Sequence, residues 1–146
     1  MGLFGFGKNK SRKEETFEVK RQAWNFYSYT YGENMTALIE FDYEFAIEDS
    51  HKGYDACKRV IIHIAPENCG PNGLAFKEEN QRIKQLEQDL VSSLSTVDCK
   101  LTGKLSYGAM CDFCFQTNAA ATFMEKAQRW IANQKSHKIV MLESDG

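Results

Sequence analysis

The order of strand-like and helix-like patterns after residue 57 constrains the fold of this chain more than any other feature. From Cys57 onward the patterns run strand, helix, strand, strand, helix, strand. This is the β-α-β-β-α-β order of the split β-α-β units in ferredoxin-like folds. We therefore expect an α+β domain in which both helices lie on one face of an antiparallel sheet.

Apolar residues at intervals of three and four predict the two helices. In residues 76–94 the apolar stripe consists of Ile83, Leu86, Leu90 and Leu94. In residues 119–132 it consists of Phe123, Ala127, Trp130 and Ile131, with Thr117 or Asn118 as the expected N-cap. A stripe of this kind indicates a helix with one buried side. The segments 58–65, 97–107, 110–116 and 138–142 are predicted to be the four strands.

An aromatic run before this unit predicts an additional N-terminal β-hairpin. Residues 24–31 read WNFYSYTY, and a turn at 32–34 leads into a second strand over residues 35–47. In that second strand two sets alternate: Ile39, Phe41, Tyr43, Phe45 and Ile47 against Glu40, Asp42, Glu44 and Glu48. Successive side chains of a strand point to opposite faces. We therefore expect the apolar set in the core and the acidic set as a stripe facing water.

The formal net charge of −2 conceals a strong asymmetry along the chain. Lys8, Lys10, Arg12 and Lys13 place four positive charges in the first 13 residues, which contain no acid. Of the 18 Lys and Arg, 14 then remain against all 20 Asp and Glu. We predict a flexible basic arm over residues 1–16 and a single acidic α+β domain over residues 17–146. Weak contact of residues 3–13 with an anionic membrane surface is an alternative to a solvated arm.

The cysteines and the hydropathy pattern favour a cytoplasmic location. Five cysteines cannot all pair within one chain, and no segment approaches the length of a membrane span. Cys111 and Cys114 form a C-x-x-C motif, but residues three apart on a strand point to opposite faces. We therefore expect buried, inert cysteines, no metal and no cofactor.

No set of residues in the sequence assembles into a catalytic site. His63 lies between isoleucines in a predicted central strand, where a histidine is more often structural than catalytic. The interpretation that this chain is not an enzyme is therefore favoured. The alternative is a small-ligand-binding or enzymatic pocket around His63 with nearby cysteines.

Binding surfaces offer three further hypotheses. The acidic residues Glu40, Asp42 and Glu44 suit a basic protein partner, although a solvated strand face explains them too. The aromatic residues Trp24, Tyr27, Tyr29 and Tyr31 suit either base stacking on single-stranded RNA or a homodimer interface. The net negative charge and the missing cation before Phe113 disfavour nucleic acid.

Several motifs resemble the bacterial domain-of-unknown-function family 695. These are Trp24-x-Phe26-Tyr27 at the start of the hairpin, Asn72-Gly73-Leu74 before the first helix, and Gly103, Gly108 and Phe113-x-Phe115 in the strands that follow. The resemblance covers residues 22–118 and implies no established activity. Its architecture is similar to that of the type-B regulator of ribonuclease E activity, a small acidic protein that inhibits a ribonuclease by binding it. The resemblance thus implies a non-catalytic protein-interaction module, with a regulator of RNA turnover as its narrower form.

Overall fold

A computed structural model describes residues 24–43 and 54–144 of the chain. The elements in chain order are β1 Trp24–Tyr31, β2 Met35–Asp42, β3 Ala56–His63, α1 Lys77–Ser93, β4 Cys99–Tyr107, β5 Met110–Thr117, α2 Ala120–Ala132 and β6 Ile139–Ser144. A short 3-10 helix, Pro66–Asn68, lies between β3 and α1. The predicted sequence of strands and helices is confirmed over this part of the chain.

The six strands form one sheet in the order β1-β2-β4-β5-β3-β6. Every neighbouring pair in this sheet is antiparallel. β3 lies between β5 and β6, as its apolar sequence predicts for an interior strand. β1 and β6 are the end strands of the sheet that the described residues form. The α+β class with an antiparallel sheet is therefore confirmed.

Both helices contact the same face of the sheet, which we call the helix face. From the sheet it carries Val60 and Ile62 of β3 and Phe113 and Phe115 of β5, which are almost fully buried. The same cluster contains the predicted stripe residues of both helices, including Ile83, Leu90, Phe123 and Trp130. The buried sides of α1 and α2 are therefore those that the sequence predicts.

The start of α2 differs from the prediction. Its N-cap is Ala119, whose side chain makes no capping hydrogen bond. Thr117, predicted as a cap, lies at the end of β5, and its Oγ1 accepts a hydrogen bond from Ala119 N at 2.9 Å. Thr117 Oγ1 also donates to Asp98 O at 2.8 Å. The threonine thus anchors the β5–α2 connection from outside the helix.

A β-bulge changes the side-chain alternation within β4. Leu101 pairs with Phe115, whereas Gly103 pairs with Cys114 and Lys104 with Phe113, so the register shifts at Thr102. A bulge places two residues of one strand opposite one residue of the other. Leu101 and Lys104 therefore both face the helices, although they are three residues apart.

Two predictions extend beyond the described residues. β2 ends at Asp42, and Glu44, Phe45, Ile47 and Glu48 lie in the undescribed segment 44–53. The predicted basic arm, residues 1–16, is also outside the described part. Neither α1 nor α2 is long and apolar enough to cross a membrane.

Candidate functional site

The hairpin places three tyrosines on the sheet face opposite the helices. Tyr27, Tyr29 and Tyr31 alternate along β1, and we call these three residues the tyrosine patch. The Tyr27 ring stacks on Phe41 of β2, with ring centroids 5.7 Å apart. Tyr27 is 51% exposed and Tyr29 is 54% exposed. The patch is therefore an accessible aromatic surface on an end strand.

Within the part of the chain that the structure describes, β1 carries none of the features that usually protect an end strand from pairing with another chain. Its eight residues contain neither a charged residue nor a proline, and they pair with β2 in continuous register. Phe26, on the other side of the strand, is 59% exposed. Natural proteins usually protect end strands with lysine, proline or bulges, because the backbone groups at an edge can pair with a further strand.

The structure does not place the predicted acidic residues as a stripe facing water. Glu40 lies opposite Lys104 of β4 and faces the helices, and Asp42 is only 8% exposed. Glu44 lies outside the described residues. Tyr43, predicted for the core, is 46% exposed. The two faces of β2 are thus reversed relative to the prediction: the acidic residues lie toward α1 and the apolar residues lie away from it.

A half-buried lysine explains this reversal. Lys104 Nζ lies 2.9 Å from Glu87 Oε1 of α1 and 3.4 Å from Glu40 Oε1. Burial alone would lower the pKa of Lys104, but Glu87 and Glu40 outweigh burial and raise it. The lysine therefore stays charged and compensates carboxylates on the helix face. The sequence of β2 contains no signal for this contact, because its cation comes from another strand.

The cleft beside His63 contains a second group of charged residues. It has a volume of about 400 Å³, and its lining includes His63, Glu79, Arg82 and His137. Glu79, in the first turn of α1, is 1% exposed. Its Oε2 lies 2.6 Å from His137 Nε2, and its Oε1 accepts a hydrogen bond from Arg82 Nε at 2.7 Å. The predicted pocket residue thus lies beside a cleft whose charged residues come from other elements.

The charge of Glu79 is stabilised despite its burial. Burial raises the pKa of this carboxyl, but the hydrogen bonds from His137 and Arg82 outweigh burial, so the pKa is lowered. Ser136 Oγ lies 2.8 Å from His137 Nδ1, so the Ser136 hydroxyl, the His137 imidazole and the Glu79 carboxylate are connected in a row by hydrogen bonds. Ser136 and His137 are adjacent in sequence, so their contact is local. Sequence reasoning missed Glu79 and His137, because the only signal was an acid in the first helical turn.

The cysteines of the C-x-x-C motif diverge as predicted. Cys111 is buried in the core on the helix face, whereas Cys114 lies on the opposite face beside Cys57. Within residues 24–43 and 54–144, no three His, Cys, Asp or Glu side chains are grouped so that they could hold a metal ion. Phe113 and Phe115, the counterparts of base-stacking residues in RNA-recognition modules, are buried in the core.

The sequence matches the family of unknown function DUF695 over residues 22–145. The chain belongs to this family. No curated protein and no solved structure matches it. The match includes the hairpin, both helices and all six strands, which extends the resemblance beyond residue 118.

The DUF695 motif at Asn72-Gly73-Leu74 forms a junction between the hairpin and the β4–β5 turn. Thr36 N donates to Asn72 O at 3.1 Å, and Ala109 N donates to Gly73 O at 2.8 Å. Gly73 has a φ of +87°, and a Cβ atom there would lie 2.8 Å from Met35 Cε. Only glycine fits this conformation without strain. These motif residues therefore have a structural role.

Proposed function

We propose that this protein is a non-catalytic interaction module that binds an extended segment of a protein partner along β1. The observation that supports this proposal is the end strand itself, which is uncharged and bears exposed aromatic residues on both sides. The partner segment would add a seventh strand, with main-chain hydrogen bonds giving affinity and alternate side chains contacting the tyrosine patch. We also propose a cytoplasmic location, for which the unpaired cysteines of residues 54–144 are the support.

Photo-crosslinking from β1 tests this proposal directly. A photoreactive phenylalanine analogue at position 29 should crosslink to one defined peptide of a partner protein, identified by mass spectrometry. The matched control is the same analogue at Leu142, which is 45% exposed on the end strand at the other side of the sheet. Equal crosslinking from both positions would contradict the proposal. A crosslink to a second copy of this chain would identify the β1 surface as a homodimer interface instead.

Charge substitutions distinguish β1 from the acidic residues as the docking surface. With the photoreactive analogue placed at position 26 instead, Tyr27→Lys and Tyr29→Lys should each abolish the crosslink, whereas Glu44→Lys should leave it unchanged. The reverse result would favour the hypothesis that Glu40, Asp42 and Glu44 bind a basic partner. In that case the partner should also dissociate at high salt, since exposed charge pairs are screened.

A narrower proposal concerns the fold relation and the identity of the partner. We propose that β3, α1, β4, β5, α2 and β6 are a ferredoxin-like unit, which their order in the sheet, β4-β5-β3-β6, supports. A fold relation to the type-B regulator of ribonuclease E activity, which the sequence resemblance implies, would then favour a regulatory role in bacterial RNA turnover. This remains a fold-level analogy. The partner peptide found by crosslinking would confirm it by belonging to a ribonuclease or to a protein bound to one.

The cleft beside His63 supports a second candidate function, the binding of a small anion. Arg82, His137 and Lys138 contribute basic groups to its lining. Inorganic phosphate and simple carboxylates should then raise the melting temperature, and Lys138→Ala should reduce that increase. Stabilisation that is identical in the Lys138→Ala variant would rule out this site.

Single-stranded RNA remains the third candidate for the tyrosine patch. Aromatic side chains stack on bases, and this binding weakens steeply with salt. A labelled oligouridine should show anisotropy changes at low salt that Tyr29→Ala removes. No binding at low salt would eliminate this candidate.

A further inference from the structure

Two cysteines on neighbouring strands lie side by side on the sheet face opposite the helices. Cys57 Sγ of β3 is 3.2 Å from Cys114 Sγ of β5. In the antiparallel register Cys57 pairs with Gln116 and Arg59 pairs with Cys114, so the two cysteines are diagonal neighbours. Both are half-buried and free. The pair is thus already assembled by the strand register.

We propose that Cys57 and Cys114 are the site of a reversible disulfide, formed by exchange with a small-molecule disulfide such as glutathione disulfide. In the first step the Cys57 sulfur attacks one glutathione sulfur, the S–S bond of the reagent breaks, and one glutathione leaves. In the second step the Cys114 sulfur attacks the Cys57 sulfur and displaces the second glutathione. Two protein thiols lose two electrons to the reagent, and their two protons are carried by the two released glutathiones.

The environment of the two cysteines determines which of them attacks first. Burial and the hydrogen bond to Cys57 raise the pKa of Cys114 to about 12. Cys114 therefore holds its proton more firmly than an ordinary thiol, and because the thiolate is the attacking form we expect the Cys57 sulfur to attack first. The 3.2 Å separation makes the second step intramolecular, which compensates for the reluctance of Cys114 to lose its proton.

The other cysteines do not offer such a pair. Cys111 contacts Ser106 on the helix face, with 3.6 Å between Ser106 Oγ and Cys111 Sγ. Burial raises the pKa of Cys99 to about 12 and that of Cys111 to about 11, and it also raises the pKa of Cys69, which is half-buried. We therefore expect oxidation to be selective for Cys57 and Cys114.

Peptide mapping of the full chain after oxidation tests the proposal. The reduced protein is incubated with glutathione disulfide, its remaining thiols are alkylated, and the digest is analysed by mass spectrometry. Two of the five thiols should be lost, and one crosslinked peptide pair should contain Cys57 and Cys114. Dithiothreitol should restore all five thiols.

Single substitutions then test the order of the steps. Cys114→Ser should stop the reaction with glutathione attached to Cys57, Cys57→Ser should prevent the crosslink, and Cys111→Ser should crosslink as the natural chain does. Alanine variants replace any serine variant that fails to fold. A crosslink between other cysteines would overturn the proposal. So would five unreacted thiols under conditions that oxidise a reference dithiol peptide.

Discussion

Lys104 shows how a single half-buried cation can decide which way a strand faces. It lies between Glu87 of α1 and Glu40 of β2, so both carboxylates are compensated on the helix face. Removing one partner of a buried ion pair leaves an uncompensated charge, which usually costs several kcal/mol. The contact therefore links the hairpin to α1 through β4.

Substitution of this lysine gives the first prediction. Lys104→Met should reduce the free energy of unfolding in urea by about 3 kcal/mol, because the ion pairs of Lys104 with Glu87 and Glu40 are lost from the interior. The matched control is Arg129→Ala, which removes an exposed ion pair with Glu125 and should cost no more than about 0.5 kcal/mol. Equal losses in the two variants would show that the Lys104 pair is energetically a surface contact.

Glu79 gives a prediction about pH. Its pKa is lowered in the folded chain from the ordinary value of 4.5, so the unfolded chain binds the proton more readily. Stability from this group is present above pH 4.5 and is lost as pH falls through the lower folded pKa. The difference in unfolding free energy between the natural chain and Glu79→Gln should therefore shrink as pH falls below 4.5. Urea titrations between pH 3 and pH 7 measure it, and a constant difference would contradict the assignment.

At the scale of elements, the junction between the hairpin and the β4–β5 turn depends on Gly73. Its positive φ disfavours any side chain, and an added Cβ atom would lie 3.1 Å from the backbone N of Gly108 as well as 2.8 Å from the flexible end of Met35. Gly73→Ala should reduce the free energy of unfolding by about 1–3 kcal/mol. Gly103→Ala is the control, since its added Cβ would meet Cys114 Cβ at an ordinary 3.6 Å. If Gly103→Ala is the more damaging variant, the close approach at Gly73 is not limiting.

The elements also show what sequence patterns can and cannot predict. Helices α1 and α2 were predictable because Ile83, Leu90, Phe123 and Trp130 are spaced by the helical repeat and need only local information. The face of β2 that meets the helices was not predictable, because an alternation of period two separates the side chains into two sets without indicating which set faces the helices. The orientation of β2 depends on Lys104, which is more than sixty residues away in the sequence. Glu79 meets His137 across 58 residues for the same reason.

For the whole molecule, the predicted division into an arm over residues 1–16 and a domain over residues 17–146 gives a further prediction. Deleting residues 1–16 removes a net charge of +2 and, on the proposed boundary, none of the domain. The free energy of unfolding and its dependence on urea concentration should therefore stay unchanged, since that dependence follows the surface exposed on unfolding. A smaller dependence on urea would place the domain boundary before residue 17. Loss of weak binding to anionic vesicles in the same variant would support contact of residues 3–13 with membranes.

The whole molecule divides its chemistry between two faces of one sheet. The helix face combines the apolar core with the Lys104 ion pairs, and the opposite face carries the tyrosine patch and the Cys57–Cys114 pair. The proposed binding and oxidation sites therefore lie on the same face but on different strands, with β2 and β4 between β1 and the Cys114 strand β5. Partner binding and cysteine oxidation can therefore be tested independently, by measuring partner binding of the oxidised chain.

The bulge at Thr102 has a consequence for insertions and deletions in this chain. Side chains alternate between the two faces of a strand, so one added or removed residue moves every later side chain to the other face. The extra residue in β4 shifts this alternation between Leu101 and Lys104. As a result, apolar Leu101 and charged Lys104 both face the helices. Deletion of Thr102 would therefore leave Gly103 opposite Cys114 and Lys104 opposite Phe113, whereas a strand of the present length without the bulge would turn over residues 103–107, and with them the lysine that contacts Glu40.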